Sequence, residues 1–405
     1  MSKQIVIIGG GAAGFFGAIN AAQANPEAEI TIIEKSPRLL TKVSISGGGR
    51  CNVTHNCFDP KVLVENYPRG RKELLGPFNR FQPRDMIKWL DAQGVVLKTE
   101  ADGRMFPVTD DSQTIIDCFM ALSKRLGIKI LTKIAVNTIE VLETGAFHVV
   151  LSTGEVLLAD KILLATGGGQ SASGFQLAQS LGHTINEPVP SLFTFNIKDP
   201  RIEGLAGISF PDAIVSVPGT PLKAKGPLLI THWGMSGPAV LKLSAWGARI
   251  LYDKNYEFEL KINFLAQYSK EQLTQAMLDA KAEFKKKQVS KHPILEIPKR
   301  FWEKMVQAAQ IPDDKPWEKV SQQAFESLVS VLTEATYSVV GKSTNKDEFV
   351  TCGGIALKEV NFKTMESKIC PGLFLAGEVL DIDGITGGFN FQAAWTCSWI
   401  AGNSM

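Results

Sequence analysis

The chain has 405 residues, room for two or three domains of the usual ~100–200 residues each. Its hydrophobic fraction of 44% and charged fraction of 21% are those of a globular protein with a real core. A net charge of +2, from 43 basic and 41 acidic residues, argues against nucleic acid or an anionic membrane as partner. No apolar run reaches the ~18 residues of a membrane span. A strand begins almost at once, so no signal or transit peptide is expected and the expected location is cytoplasmic.

Residues 4–8 read as a short buried strand, continuous and β-branched as in a parallel sheet covered on both faces. Gly11 to about Ala24 reads as a helix, and Glu29 to Glu34 as a second strand, which completes a βαβ unit. Residues 83–93 and 112–126 read as amphipathic helices, and Ile128 to Leu131 as a strand. Residues 134–165 alternate as a meander with a turn at Ser152-Thr153-Gly154. They end in a buried strand, Lys161 to Ala165, and then Thr166-Gly167-Gly168-Gly169.

After Pro188 and Pro190 the character changes. Residues 191–264 read as short strands with Gly and Pro turns, clearest at Tyr256, Phe258, Leu260, Ile262 and Phe264. Residues 269–332 read as helical. Ser269 and Gln272 form a capping box, and Leu273, Met277, Ala280 and Phe284 share one face. Lys285 to Lys287 read as a solvated helix end. Strands and Gly turns return from about residue 336. The expected organisation is a discontinuous nucleotide-binding domain, 1–190 and 336–405, around an inserted domain, 191–335. Within the insert, 191–266 is mainly β and 267–335 mainly α.

Four motifs carry chemistry. Gly9-Gly10-Gly11-Ala12-Ala13-Gly14 joins strand to helix. Gly9 permits the tight turn, Gly11 lets backbone approach a pyrophosphate, and Gly14 lets helix and strand pack closely. The helix N-terminus, at Ala12 and Ala13, offers N–H groups and partial positive charge to phosphate. Glu34, with Lys35 beside it, ends the second strand and can accept from ribose hydroxyls. The second motif is Ser46-Gly47-Gly48-Gly49-Arg50-Cys51-Asn52. Its glycines leave room for a flat ring, Arg50 can counter the charge of a pyrophosphate or a reduced flavin, and Asn52 can bond a ring edge. The third is Ala165-Thr166-Gly167-Gly168. The fourth follows the strand Leu373 to Ala376. It comprises Gly377-Glu378, then Gly387-Gly388-Phe389-Asn390 opening a helix that can stabilise negative charge on a reduced flavin. Asp381 and Asp383 lie between, either contacting ribityl or phosphate groups through water or capping the turn.

These segments, with LLITHWGMSGPAVL and TCGGI, closely resemble the bacterial YhiN/BaiN flavoprotein family over nearly the whole chain. Relatives in that family include aminoacetone oxidases and flavin-dependent reductases of unsaturated bile-acid intermediates. The resemblance implies an α/β, glutathione-reductase-type FAD-binding Rossmann-like fold, interrupted by an insert with a β-barrel-like part and a helical part. It implies FAD against Gly9, Gly11, Gly14, Glu34, Gly48, Gly49, Arg50, Cys51, Asn52, Thr166, Gly167, Glu378, Gly388, Phe389 and Asn390. The loop Gly169 to Phe175 is shorter than the family pattern and can shape the substrate mouth, so specificity does not carry over.

Thr231-His232-Trp233-Gly234-Met235-Ser236-Gly237-Pro238 reads as a strand end leading to a helix, with Ser236 as cap. His232, Arg50 and Asn52 are the weak catalytic candidates; a structural His232 bonded to backbone is the favoured alternative. The six cysteines fit no zinc pattern, so no metal is expected. A Cys51–Cys57 redox disulfide is weighed against two free thiols, and free thiols are the expectation. The expected function is FAD-dependent oxidation or reduction of a small molecule, with FAD held non-covalently. Hydride transfer at the flavin would reduce an activated C=C or oxidise a small amine. The substrate is expected to enter between the domains. No second GxGxxG follows a strand, so NADH or NADPH would act only as a transient donor. The alternative is a non-redox flavoprotein that binds or senses through the insert, supported only by Arg69 to Lys72 and Lys285 to Lys287.

Overall fold

The strands that build and border the site are β1 (Gln4–Ile8), β2 (Glu29–Glu34), β3 (Lys129–Thr132), β4 (Lys161–Leu164), β5 (Ile185–Pro190), β6 (Thr351–Ile355) and β7 (Leu373–Leu375). Two helices, α1 (Ala12–Ala24) and α2 (Phe389–Gly402), accompany them. The computed structural model describes residues 2–169, 173–343 and 350–405. They form two units by their contacts, Met1–Ser191 with Asn345–Met405, and Leu192–Thr344.

In the first unit β7, β4, β1, β2 and β3 lie side by side in that order, all parallel. The continuous apolar run Ile5 to Ile8 is buried, as a strand covered on both faces must be. Chain order runs outward from β1 through β2 to β3 on one side, and through β4 to β7 on the other. The loops after β1 and β4 therefore diverge at the carboxyl ends of neighbouring strands. Open α/β sheets bind ligands at such a switch point.

Helices α1 and α2 pack directly on each other. A Cβ on Gly402 would stand 2.7 Å from the Gly17 carbonyl oxygen, so glycine lets the two backbones meet. Phe16 of α1 lies edge-on to Trp395 of α2 at 5.5 Å and to Trp89 at 4.8 Å. Such pairs add ~0.5–1.5 kcal/mol each beyond their buried area. Strands β5 and β6 form a separate antiparallel pair, Ile185 opposite Ile355 and Val189 opposite Cys352.

The second unit is a closed antiparallel barrel. Its strands follow the order Thr194–Ile197, Gly234–Ser236, Lys223–Ile230, Ser209–Ser216, Glu257–Asn263 and Ala335–Ser343. Leu260, Ile262 and Phe264 point inward and are fully buried, which is the period-two pattern of the sequence. Helices Lys270–Phe284, Lys299–Ala308 and Gln322–Thr333 share a core in which Trp302 stacks on Trp317 at 6.1 Å. The Ser269/Gln272 capping box is present.

Three details differ from the sequence reading. Strand Ala335–Ser343 pairs with Glu257–Asn263 and Thr194–Ile197, so it closes the barrel and belongs to the second unit, not to the first from 336 on. Helix Pro238–Trp246 begins where a helix was expected, but a second helix, Ala248–Asp253, follows it inside the stretch read as strands. Gly237, at φ 98°, is the N-cap of the first of these, and no side chain caps it, so Ser236 does not.

The strand-to-helix turn has a sharp steric limit. A Cβ on Gly14 would stand 1.8 Å from the Gly9 carbonyl oxygen, whereas one on Gly11 meets nothing within 4 Å. Urea unfolding of the cofactor-free chains should show Gly14→Ala losing about 2–3 kcal/mol and Gly11→Ala less than about 1 kcal/mol. Equal losses would contradict this packing.

Candidate functional site

A groove of about 190 Å³ opens where the loops after β1 and β4 diverge. Gly9, Gly11, Ala12 and Ala13 form one wall, Thr166 and Gly167 the next, and Gly377, Glu378 and Asn390 the third. Glu34 closes the end nearest β2. Residues from both ends of the chain thus meet in one site. Gly14 sits beneath it, where it lets α1 pack on the turn.

Glu34 is held by backbone. The Gly10 N–H donates to its Oε2 at 2.7 Å and the Ser36 N–H to its Oε1 at 2.8 Å. A carboxylate has about four lone-pair sites, so each oxygen can still accept from a hydroxyl. A second, smaller cavity of about 60 Å³ lies on the other side of Glu34, lined by Ile8, Ile33, Val136 and Leu177. Lys35 and Thr166 border it too. One carboxylate therefore stands between a slot with several apolar side chains and a glycine-lined groove.

The groove also carries cations that the sequence reading passed over. Arg38 and Lys42 line it, and Lys42 Nζ reaches Glu378 Oε2 at 2.6 Å. Their signal was two basic residues between Glu34 and the second glycine motif. Helix α1 has no side-chain cap at Gly11 and no acidic residue in its first turn. Its first N–H groups thus face the groove with the helix's partial positive charge.

The residues fit an adenine dinucleotide such as FAD. Added Cβ atoms at Gly11 and Gly167 would project into open space, not into protein. Among the described residues, Thr166 Oγ1 is buried without a partner at the junction of the two cavities. Apolar slot, carboxylate, free N–H groups and cations follow one another in the order of adenine, ribose and diphosphate.

The second glycine motif lines neither cavity. Gly48 and Gly49 adopt φ 71° and 86° with open space at their Cβ positions. Arg50 Nη1 pairs with Glu100 Oε1 at 2.6 Å and lies 3.5 Å from Asp110, and its guanidinium covers Phe106 at 4.0 Å. These partners tie its guanidinium to two carboxylates and a ring. Asn52 joins the motif to the C-terminal segment: its Oδ1 accepts from the Gly388 N–H at 2.9 Å and its Nδ2 donates to the Thr54 carbonyl. Gly388 is the uncapped N-terminus of α2, and Gly387 precedes it at φ 129°. Phe389 is buried and stacks on His55 at 4.7 Å. Burial lowers the imidazole of His55 below its ordinary range, and its Nδ1 has no partner among the described residues. His55 was not singled out in the sequence because no motif marks it.

His232 is exposed at a hairpin tip of the second unit, between strands Lys223–Ile230 and Gly234–Ser236. Cys51 and Cys57 do not form a disulfide. Burial pushes the Cys51 thiol up to about 12 and also raises Cys57, so neither is a ready nucleophile. Asp381 and Asp383 line neither cavity. Their carboxylates bond to protein: Asp381 to Gly353 and Asn186, Asp383 to Arg69 and Ser191. Burial pushes Asp383 up to about 6 although Arg69 faces it. Residues 170–172 of the short loop lie outside the described residues; from Ser173 the chain is helical. No helix among the described residues is long and apolar enough to cross a membrane.

The family profile of the HI0933-like protein Rossmann domain matches residues 3–404. A ribosomal RNA dihydrouridine synthase of Escherichia coli (strain K12) is 30% identical over 404 residues, 97% of this chain and 96% of its own. A 3-dehydro-bile acid delta(4,6)-reductase of Clostridium scindens is 28% identical over 413 residues, 99% of this chain and 98% of its own. Among solved structures, the 3-ketosteroid-delta4-(5alpha)-dehydrogenase of Rhodococcus jostii RHA1 shares the fold, with a TM-score of 0.53 at 14% identity over 99% of this chain and 96% of that one.

Glu34→Ala should weaken FAD binding by about 10- to 150-fold, the equivalent of ~1.5–3 kcal/mol for a charge-assisted contact. Gly11→Ala should also lose FAD, because its methyl enters the groove. Fluorescence titration of the cofactor-free variants measures both. Wild-type affinity in either variant would remove that residue from the site.

Proposed function

This chain belongs to the HI0933-like Rossmann-domain family and is an FAD-dependent oxidoreductase; we propose that it reduces a carbon–carbon double bond conjugated with a carbonyl. The observation that carries the cofactor half is Glu34, placed between an apolar slot and a glycine-lined groove with free helix N–H groups. Glu34 would hold the ribose hydroxyls. The first N–H groups of α1, with Arg38 and Lys42, would hold the diphosphate. Glu378 would accept from the ribityl chain, and the uncapped N-terminus of α2, fixed to Asn52 at Gly388, would face the flavin's electron-rich edge. FAD, when bound, supplies the hydride.

The reductive direction is supported by the chemistry common to two relatives. A 3-dehydro-bile acid with Δ4 unsaturation presents C=C beside the 3-carbonyl, and uridine presents C5=C6 beside its C4 carbonyl. The acceptor is the same although the molecules differ greatly in size. An enzyme for either must donate hydride to the β-carbon, a proton to the α-carbon, and a hydrogen bond to the carbonyl oxygen. NADH or NADPH is the candidate donor, meeting the flavin transiently. The amine-oxidase alternative has no comparable support.

The purified protein should be yellow, and acid precipitation should release FAD into the supernatant. Under anaerobic conditions NADH or NADPH should bleach the flavin. A 4-ene-3-oxo steroid or a uridine-containing RNA should then restore the colour, with the saturated product in equal amount. Bleaching by a small amine, or colour returned by oxygen alone and by no conjugated alkene, would contradict the reductase reading.

A further inference from the structure

The loop from Val379 to Phe389 has both ends in the groove. Gly377 and Glu378 precede it, Asn390 and Phe391 follow it, and all four line the groove. Asn390 also closes the loop on itself: its Oδ1 accepts from the Gly384 N–H at 2.8 Å and its Nδ2 donates to the Gly384 carbonyl at 2.9 Å. The middle of the loop grips something else. Asp381 Oδ1 accepts from the Gly353 N–H of β6 at 2.8 Å, and its Oδ2 accepts from Asn186 Nδ2 of β5 at 2.7 Å. Asp383 is fully buried, pairs with Arg69 through both oxygens, and accepts from the hydroxyl of Ser191, one residue past the end of β5. Arg69 donates to the same hydroxyl at 3.0 Å. Backbone adds to this grip: the Ile355 N–H donates to the Val379 carbonyl at 2.9 Å, and a Cβ on Gly354 would stand 2.6 Å from that oxygen.

Two carboxylates two residues apart therefore hold β5 and β6, the strands that flank the second unit in sequence, to the loop whose ends line the groove. We propose that Asp381 and Asp383 are positioning residues that couple cofactor binding in the groove to the order of the β5–β6 pair. The proposal rests on the reading that the groove holds FAD. FAD contacting Glu378 and Asn390 fixes both ends of the loop. A fixed loop holds its carboxylates in place, and they hold the donors on β5 and β6. Coupling of this kind is reciprocal in equilibrium affinity: the factor by which FAD orders the strands is the factor by which ordered strands strengthen FAD binding. An Asn at either position presents one oxygen to donors that now face two, so each variant breaks one link without changing side-chain size.

The test compares wild type, Asp381→Asn and Asp383→Asn as full-length protein. Hydrogen exchange is followed in peptides covering 185–190 and 351–355, with and without FAD, and FAD release from the loaded protein is timed by flavin fluorescence. In wild type FAD should slow exchange in both strands. In each variant that slowing should shrink and FAD should leave faster, by about tenfold, within the usual range of coupling between sites. A purely structural role would raise exchange equally with and without FAD and leave the ratio unchanged, which overturns the proposal. If the FAD-free chains do not fold, the release rates decide alone, and wild-type release in both variants overturns it. A wild type that binds FAD with no effect on the strands overturns the coupling only; one that binds no FAD overturns the functional reading and the coupling together.

Discussion

The contact between Gly14 and the Gly9 carbonyl governs this site. A single added carbon would stand 1.8 Å from that oxygen. Because no carbon is there, α1 starts directly over the end of β1, and its first N–H groups face the space where the sheet's strand order diverges. The same turn brings the Gly10 N–H to Glu34 at 2.7 Å. Glycine packing thus places both the start of α1 and the Glu34 carboxylate. A side chain at Gly14 would shift both at once.

The remaining half of the groove comes from the far end of the chain. Strand β7 joins β4 and delivers Gly377 and Glu378, and α2 lies against α1 through Gly17 and Gly402. Lys42 and Glu378 pair across the groove, one from each half. Their proximity keeps opposite charges beside the place where a diphosphate and a ribityl chain would lie. The two ends of the sequence can make this site only when the sheet is complete, so cofactor binding and completion of the first unit are linked.

Much of this was legible in the sequence, for local reasons. The apolar run Ile5 to Ile8, the glycines after it and Glu34 form one βαβ unit, whose geometry depends on neighbours within thirty residues. The Ser269/Gln272 cap and the alternation from Tyr256 to Phe264 are local as well. What was missed depends on distant partners. The ion pair of Arg50 is one such feature: the residue follows three glycines, but its partner Glu100 lies fifty residues on. Asp381 and Asp383 sit in a loop where ribityl or phosphate contacts, or turn caps, are the local expectation, but their donors come from residues 69, 186, 191 and 353. Strand Ala335–Ser343 was given to the wrong side of a boundary because the strands that close the barrel with it start at Thr194 and Glu257. Arg38 and Lys42 sit on loop and helix start, where basic residues show no periodicity.

The central claim is that one carboxylate divides an adenine slot from a diphosphate groove. A crystal structure of the protein with bound FAD tests it most directly. The account predicts the adenosine ribose hydroxyls within hydrogen-bond distance of Glu34, the adenine among Ile8, Ile33, Val136 and Leu177, and the diphosphate over the N–H groups of Ala12 and Ala13. FAD bound with its adenosine away from Glu34, or with its diphosphate away from the start of α1, would contradict it.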